Sequence, residues 1–372
     1  MGDVLTLKAL NRATLARQLL LRREALSAQD AIARLAGLQA QVAKPPFLGL
    51  WTRLEGFRRD DLLDLLQSRE VVRGTAMRVT LHLLTASDYL AFRPVLQPML
   101  SAGMASVLRE RGAELDIPAL VVAATPFFEE APRTFTELRA HLMERHPDGD
   151  ERAMGYAVRT HLPLVMVPDD SPWGFPGDSD FTTAASWLGR PIALPPEHVD
   201  ASELVRRYLA AFGPATVADA QTWSGLKGLK GTFDAMRDEL VTFRDERKRE
   251  LFDLPDAPRP SEETEAPIRF LPEYDNLVLA HADRSRIIAE EDRRRIVTAN
   301  LKVHATFLVD GRVAGIWKVV RKRKAATLVL EPFETLAAPV QDALAEEGLR
   351  ALRFCEEDAS SFDLKVEPAL RP

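Results

Sequence analysis

The sequence has a single cysteine, Cys355, among 372 residues. An internal disulfide is impossible, and so is a zinc site built from cysteines. Histidine is nearly as scarce: the seven present include no H-x-x-x-H pair, so neither a metal nor a cofactor is expected. No apolar run approaches the length of a membrane span, and Met1-Gly2-Asp3-Val4 does not open a signal peptide. A coiled-coil repeat is also missing. These absences predict a soluble, cytoplasmic protein that works as a monomer without a membrane partner.

What is present is ordinary in bulk, at 46% hydrophobic and 28% charged residues, and the length predicts two to four domains. The charge is unevenly spread. The net value is −6, yet residues 1–81 carry 13 Lys+Arg against 8 Asp+Glu, and residues 284–324 carry 12 against 4. Local basic surface on an acidic protein is the electrostatic footprint of a nucleic-acid binder. Taken alone, such clusters are equally well solvated faces.

Along the chain, residues 7–23 read as an amphipathic helix, capped at Asn11, with Leu15, Leu19 and Leu20 inward and Arg12, Arg17, Arg22 and Arg23 outward. A second helix starts at Ser27 and stops before Pro45-Pro46, which forbid its continuation. Arg59–Gln67 is a third. Val71–Gly74, a turn and the alternating Arg78–Leu84 then read as a two-stranded ribbon. Three helices followed by a ribbon is the order of a winged helix, and it recurs twice. Residues 88–110 form a connecting helix broken at Pro94 and Pro98. Helical segments at 117–130, 134–145 and 150–161 precede a Gly/Pro/Asp-rich wing. In the third round, helices within 201–240 precede two strands around Asp245–Arg247. Beyond an acidic linker at 261–267 the period changes to that of strands. Asp310-Gly311 marks a hairpin, a helix spans 338–356 and Ser361–Val366 returns as an edge strand. The fold class expected is α+β: winged-helix units at 1–87, 88–199 and 200–258, and a β-rich, barrel-like domain at 259–372.

One short motif stands out. In Leu38-Gln39-Ala40-Gln41-Val42 the chain leaves a helix just ahead of two prolines. In an extended chain Gln39 and Gln41 share one face and Ala40 the other, whereas on a continuing helix they diverge by about 200°. On their own, two glutamines at a helix end are solvated polar residues.

Several pieces together resemble the tandem winged-helix DNA glycosylases of the AlkZ type, which include azinomycin-resistance and YcaQ-like proteins. They are Asn11-Arg12-Ala13, Gly37-Leu38-Gln39-Ala40-Gln41, Arg78-Val79-Thr80-Leu81-His82, Trp223-Ser224-Gly225-Leu226, Leu271-Pro272-Glu273-Tyr274-Asp275, Asp283-Arg284-Ser285 and Thr306–Gly311. The resemblance implies three winged-helix units and a β-rich portion around a basic channel, in a bacterial protein acting at the nucleoid. It also implies a catalytic Gln-apolar-Gln signature, matched by Gln39 and Gln41. The YcaQ form carries an acid at the second position, so Gln41 sides with the alkylpurine and crosslink branch. The implied partner is double-stranded DNA containing alkylated or crosslinked purines.

Residue type supports the same chemistry. An N-glycosidic bond breaks through an oxocarbenium-like sugar. A purine alkylated at N7 is already cationic and leaves as a neutral base, so little acid catalysis is required. A glutamine carbonyl can accept from water and turn its dipole to the developing charge, but an amide is no general base. Arg78 and His82 are expected to line the site. His304, Lys318, Arg321, Lys322, Arg323 and Lys324, on and beside the 304–317 hairpin, are expected to contact DNA. Trp223 reads as core. The alternative reading is a non-catalytic winged-helix DNA-binding protein or transcription regulator.

Overall fold

The computed structural model describes residues 3–192, 194 and 200–369; the expected unit boundary at 199 and the last three residues of the 259–372 domain lie outside them. The architecture is α+β, with three sheets and their helices. Among the described residues no helix is long and apolar enough to cross a membrane.

The sheet that matters for the site has five antiparallel strands. From edge to edge they are Leu38–Gln39, Leu81–Thr85, Val71–Thr75, Leu164–Met166 and Phe181–Thr183. It joins the 1–87 and 88–199 segments through the pairing of Gly74 with Val165. Both faces are covered. Leu38, Ala40, Leu81 and Leu83 belong to one core, and Val72, Leu84 and Val165 to another. Burial on both sides suits the apolar Leu164–Met166 and the leucines of Leu81–Thr85, and it also encloses the polar Arg73 and His82. A second sheet sets Val4–Leu5 parallel to Val241–Asp245, which pairs antiparallel with Glu250–Asp253.

The 259–372 region does not close into the expected barrel. Its strands make one open five-stranded sheet, ordered Ser361–Val366, Ala325–Pro332, Arg312–Lys322, Thr306–Val309 and Arg269–Leu271. The last helix, Ala338–Cys355, packs on it and fills the space a barrel would enclose, with Leu344, Ala351 and Leu352 in the shared core.

Other expectations shift for physical reasons. The first helix is Leu7–Arg17, capped by the Thr6 side chain and not by Asn11. Arg12 and Arg17 do not face solvent. Arg17 is buried in a bidentate pair with Asp253 at 2.6 and 2.8 Å, and Arg12 is held by Asp310. Arg22 does face outward. Pro45 and Pro46 start a new helix, Pro45–Trp51, because a missing N–H costs nothing in the first turn. Pro94 and Pro98 leave Ala86–Arg111 a single helix.

Candidate active site

Gln39 lies on the edge strand, with its backbone paired to His82. The second helix ends at Arg34, and the chain reverses through Ala36 and Gly37, both at positive φ. Gly37 is required there. At φ +91° a Cβ would meet Leu84 Cδ2 at 2.4 Å and the Leu83 carbonyl at 2.9 Å. After this turn the chain is extended. Leu38 and Ala40 enter the core, and Gln39 and Gln41 fall on the opposite face. Gln39 is buried and Gln41 exposed.

Each part of the motif is held. Ala40 N–H donates to the Leu81 carbonyl at 2.7 Å. Arg73, buried over the Phe175 ring, donates to the carbonyls of Ala40 at 2.8 Å and Gln41 at 3.3 Å. Gln41 Oε1 accepts a long bond from Leu81 N–H at 3.4 Å. Gln39 Oε1 accepts from Arg78 Nη2 at 2.8 Å.

Arg78 is the hub. Arg78 and Val79 both have positive φ, at 55° and 60°. For a β-branched valine this is a strained conformation, and such strain gathers at functional sites. The turn lifts the guanidinium over the strand edge. Nη2 donates to Asn276 Oδ1 at 2.9 Å, and Nη1 donates to the Trp223 carbonyl. That carbonyl belongs to the last turn of the helix Val217–Ser224, where the helix dipole favours a cation. Gly225 permits the approach: a Cβ there would sit 3.3 Å from the Arg78 backbone. No carboxylate pairs with Arg78 among the described residues. Burial, helped by Arg284, lowers its pKa to about 10, so it remains a cation at neutral pH.

His82, expected to line the site and to contact DNA, is fully buried: it lies against Arg78 but is closed off from a duplex. Its Nδ1 donates to the Thr80 carbonyl at 3.1 Å, which leaves Nε2 bare toward Arg78 at 3.4 Å. Burial and the Arg78 charge push its pKa down to about 3, so the ring is neutral. It backs Arg78 as an apolar and accepting wall. Trp223 is core, as expected.

The basic residues divide differently from the sequence reading. The Asp310-Gly311 turn of the hairpin expected to contact DNA is not free. Asn11 donates to the Gly311 carbonyl at 2.8 Å, and Arg12 binds Asp310, so the tip is docked on the first helix. His304 lies half-buried beside that hairpin. Residues 318–324 are not one strand: Arg323, at φ 56°, turns the chain between Arg312–Lys322 and Ala325–Pro332. Lys318 pairs with Glu331, and Arg321 with Glu356 and Asp358. Lys322, Arg323 and Lys324 form an exposed tip. Lys44, three residues beyond Gln41, also pairs with Glu356 at 2.6 Å, which ties this hairpin to the motif's loop.

Residue patterns did not point to Arg73, Asn276 or Arg284. A charged residue in the apolar strand Val71–Thr75 was a usable signal for Arg73. Asp275-Asn276 at the start of a short helical turn was one for Asn276, whose Nδ2 donates to the Gly37 carbonyl at 3.3 Å.

The chain is 28% identical over 360 residues to an interstrand DNA cross-link repair glycosylase of Streptomyces sahachiroi, covering 91% of this chain and 93% of that protein. The solved structure of S. sahachiroi DNA glycosylase AlkZ matches with a TM-score of 0.78 at 23% identity, over 98% of this chain and 100% of that one, which speaks for the fold. The family described as DNA glycosylase AlkZ-like matches residues 32–354. The chain therefore belongs to the AlkZ-like DNA glycosylases, enzymes that hydrolyse N-glycosyl bonds.

Proposed function

We propose that this enzyme is a monofunctional glycosylase acting on cationic N7-alkylated purines in double-stranded DNA, and that it unhooks interstrand crosslinks formed through such bases. The observation that carries the reading is the lack of an ionisable base at the motif. Among the described residues no carboxylate hydrogen-bonds to Gln39, Gln41, Arg78 or His82, and His82 is held neutral. Such a site suits a leaving group that needs no protonation. The C1′–N9 bond breaks and its electron pair neutralises the alkylated purine. Water adds its oxygen to C1′ and releases a proton to solvent. The amides position that water, and the Gln41 carbonyl dipole favours the cationic sugar. The similarity to a crosslink-repair glycosylase supports the larger substrate.

In the same reading residues 1–87, 88–199 and 200–258 are three winged-helix units, supported by the recurrence of helices followed by paired strands. The Lys322–Lys324 tip contacts phosphate, supported by its exposure and its tie to Lys44.

The test is a duplex containing N7-methylguanine, scored for heat- or alkali-labile abasic sites. Wild type forms product, and Gln39→Ala and Gln41→Ala each lose on the order of 10²–10³ in rate. Equal product from all three removes the amides from the chemistry. No product on alkylated or crosslinked DNA, with tight binding to one undamaged sequence, points instead to a regulator.

A further inference from the structure

We infer that Arg78 is a positioning residue that fixes the Gln39 side chain with its amide NH2 toward the reaction, so that the two glutamines have opposite jobs: Gln39 donates and Gln41 accepts. This rests on the reading of the Gln pair as catalytic. The argument is one of donor inventory. A guanidinium carries only donors, so the Gln39 atom 2.8 Å from Arg78 Nη2 is the oxygen and the amide cannot be flipped. Gln39 Nε2 makes no hydrogen bond among the described residues, and it is not sealed from solvent. Its N–H groups are what Gln39 offers a substrate.

Gln41 is in the reverse condition. Its Oε1 accepts only one long bond, from Leu81 N–H at 3.4 Å, and the side chain is exposed. A carbonyl oxygen has two lone pairs, so one remains to take a proton of the attacking water. The Gln39 N–H groups suit an oxygen that gains no positive charge in the reaction: that of the same water or of an adjacent phosphate. The guanidinium is itself held on two further sides. It is gripped by the Trp223 carbonyl and by Asn276 Oδ1 at 2.9 Å, and Asn276 is anchored on the Gly37 carbonyl at 3.3 Å. Three separated parts of the chain thus converge to set one amide. Donation from a cation also polarises that amide and strengthens its outward N–H groups as donors.

Single-turnover excision of N7-methylguanine, with DNA affinity and thermal melting measured on the same proteins, tests this. Gln39→Glu stays paired to Arg78 but replaces the outward NH2 by an oxygen, and its rate falls as far as that of Gln39→Ala. Gln41→Glu keeps an acceptor and stays within about tenfold of wild type. Arg78→Met slows excision about tenfold when Gln39 is present and less than about twofold in the Gln39→Ala background, with DNA affinity changed less than about threefold in both. Arg78→Lys, which still donates to Gln39, recovers part of the rate and serves if the methionine variant melts early. A Gln39→Glu enzyme as fast as wild type beside an impaired Gln39→Ala overturns the orientation alone. Equal losses from Arg78→Met in both backgrounds overturn the coupling. A Gln39→Ala enzyme at wild-type rate instead overturns the catalytic reading beneath both.

Discussion

Arg53 and Asp275 face each other deep in the protein, joined by two parallel hydrogen bonds of 2.9 Å, with both side chains almost wholly buried. The pair does not touch the glutamines, yet it sets where they work. Asp275 also caps Leu277 N–H and so fixes the turn that carries Asn276 to Arg78. Arg53 further donates to the carbonyls of Gln18 and Gly49. Removing one partner of a buried pair strands the other charge. Arg53→Met is expected to cost about 3–5 kcal/mol in denaturant unfolding and to slow excision as Asn276 loosens. A loss under about 1 kcal/mol would show that the pair is dispensable.

Gly37 is the turn on which the motif swings out of the preceding helix. An alanine there combines positive φ with a Cβ 2.9 Å from the Leu83 carbonyl, on the strand that pairs with the motif. Gly37→Ala is expected to destabilise by more than about 1 kcal/mol. Because the Gly37 carbonyl holds Asn276, the rate should fall with it. Unchanged melting and kinetics would mean that the loop has room the structure does not show.

The basic tip gives a salt-dependent prediction. Converting Lys322, Arg323 and Lys324 to Glu should weaken duplex binding at low salt. The slope of log affinity against log salt should become shallower by about 0.9 for each phosphate that is no longer neutralised. Arg321 is left in place because it is already paired with Glu356 and Asp358. A slope equal to wild type would put the tip off the DNA.

His82 links stability to pH. Its folded pKa of about 3 lies below the ordinary 6.5, so between those values the unfolded chain binds a proton that the folded protein does not. Stability from this group is complete above about pH 6.5 and falls as pH drops, at up to about 1.4 kcal/mol per pH unit. His281, buried and likewise pushed down to about 3, adds the same sign in this range, and carboxylates do so at lower pH, so between pH 6.5 and 5 His82→Asn should make the fall of Tm with pH shallower without abolishing it. Arg78 stays protonated up to about pH 10. The excision rate should therefore be level from about pH 6 to 9. A bell-shaped profile in that range would require a titrating base that the site does not contain.

Much of the site's location was legible in local chemistry. A helix start at Ser27 and the alternation of Leu38, Gln39, Ala40 and Gln41 point to an extended motif with both amides on one face, because pleating has a period of two, although the helix ends at Arg34, ahead of the Gly37 turn, and Pro45-Pro46 open the next one. The Asp310-Gly311 turn, the final helix and the edge strand Ser361–Val366 were readable in the same way. The partners of the charged residues were not. Arg12 and Arg17 look like a solvated helix face, and only tertiary packing pairs them with Asp310 and Asp253, more than 230 positions away in the chain. His82 alternates along its strand like a residue that reaches a ligand, but the sheet is covered on both faces and buries it.

By itself the sequence determined that two neutral amides share one face of an extended segment, with a single cysteine and no histidine pair to supply other chemistry. Only the tertiary structure decided what each amide can do. Arg78 meets Gln39 from 39 residues away, Trp223 from 145 and Asn276 from 198. A hydrogen bond has a direction that composition and spacing do not encode. It is the approach of a pure donor from a distant turn that commits one glutamine's oxygen inward and its nitrogen outward.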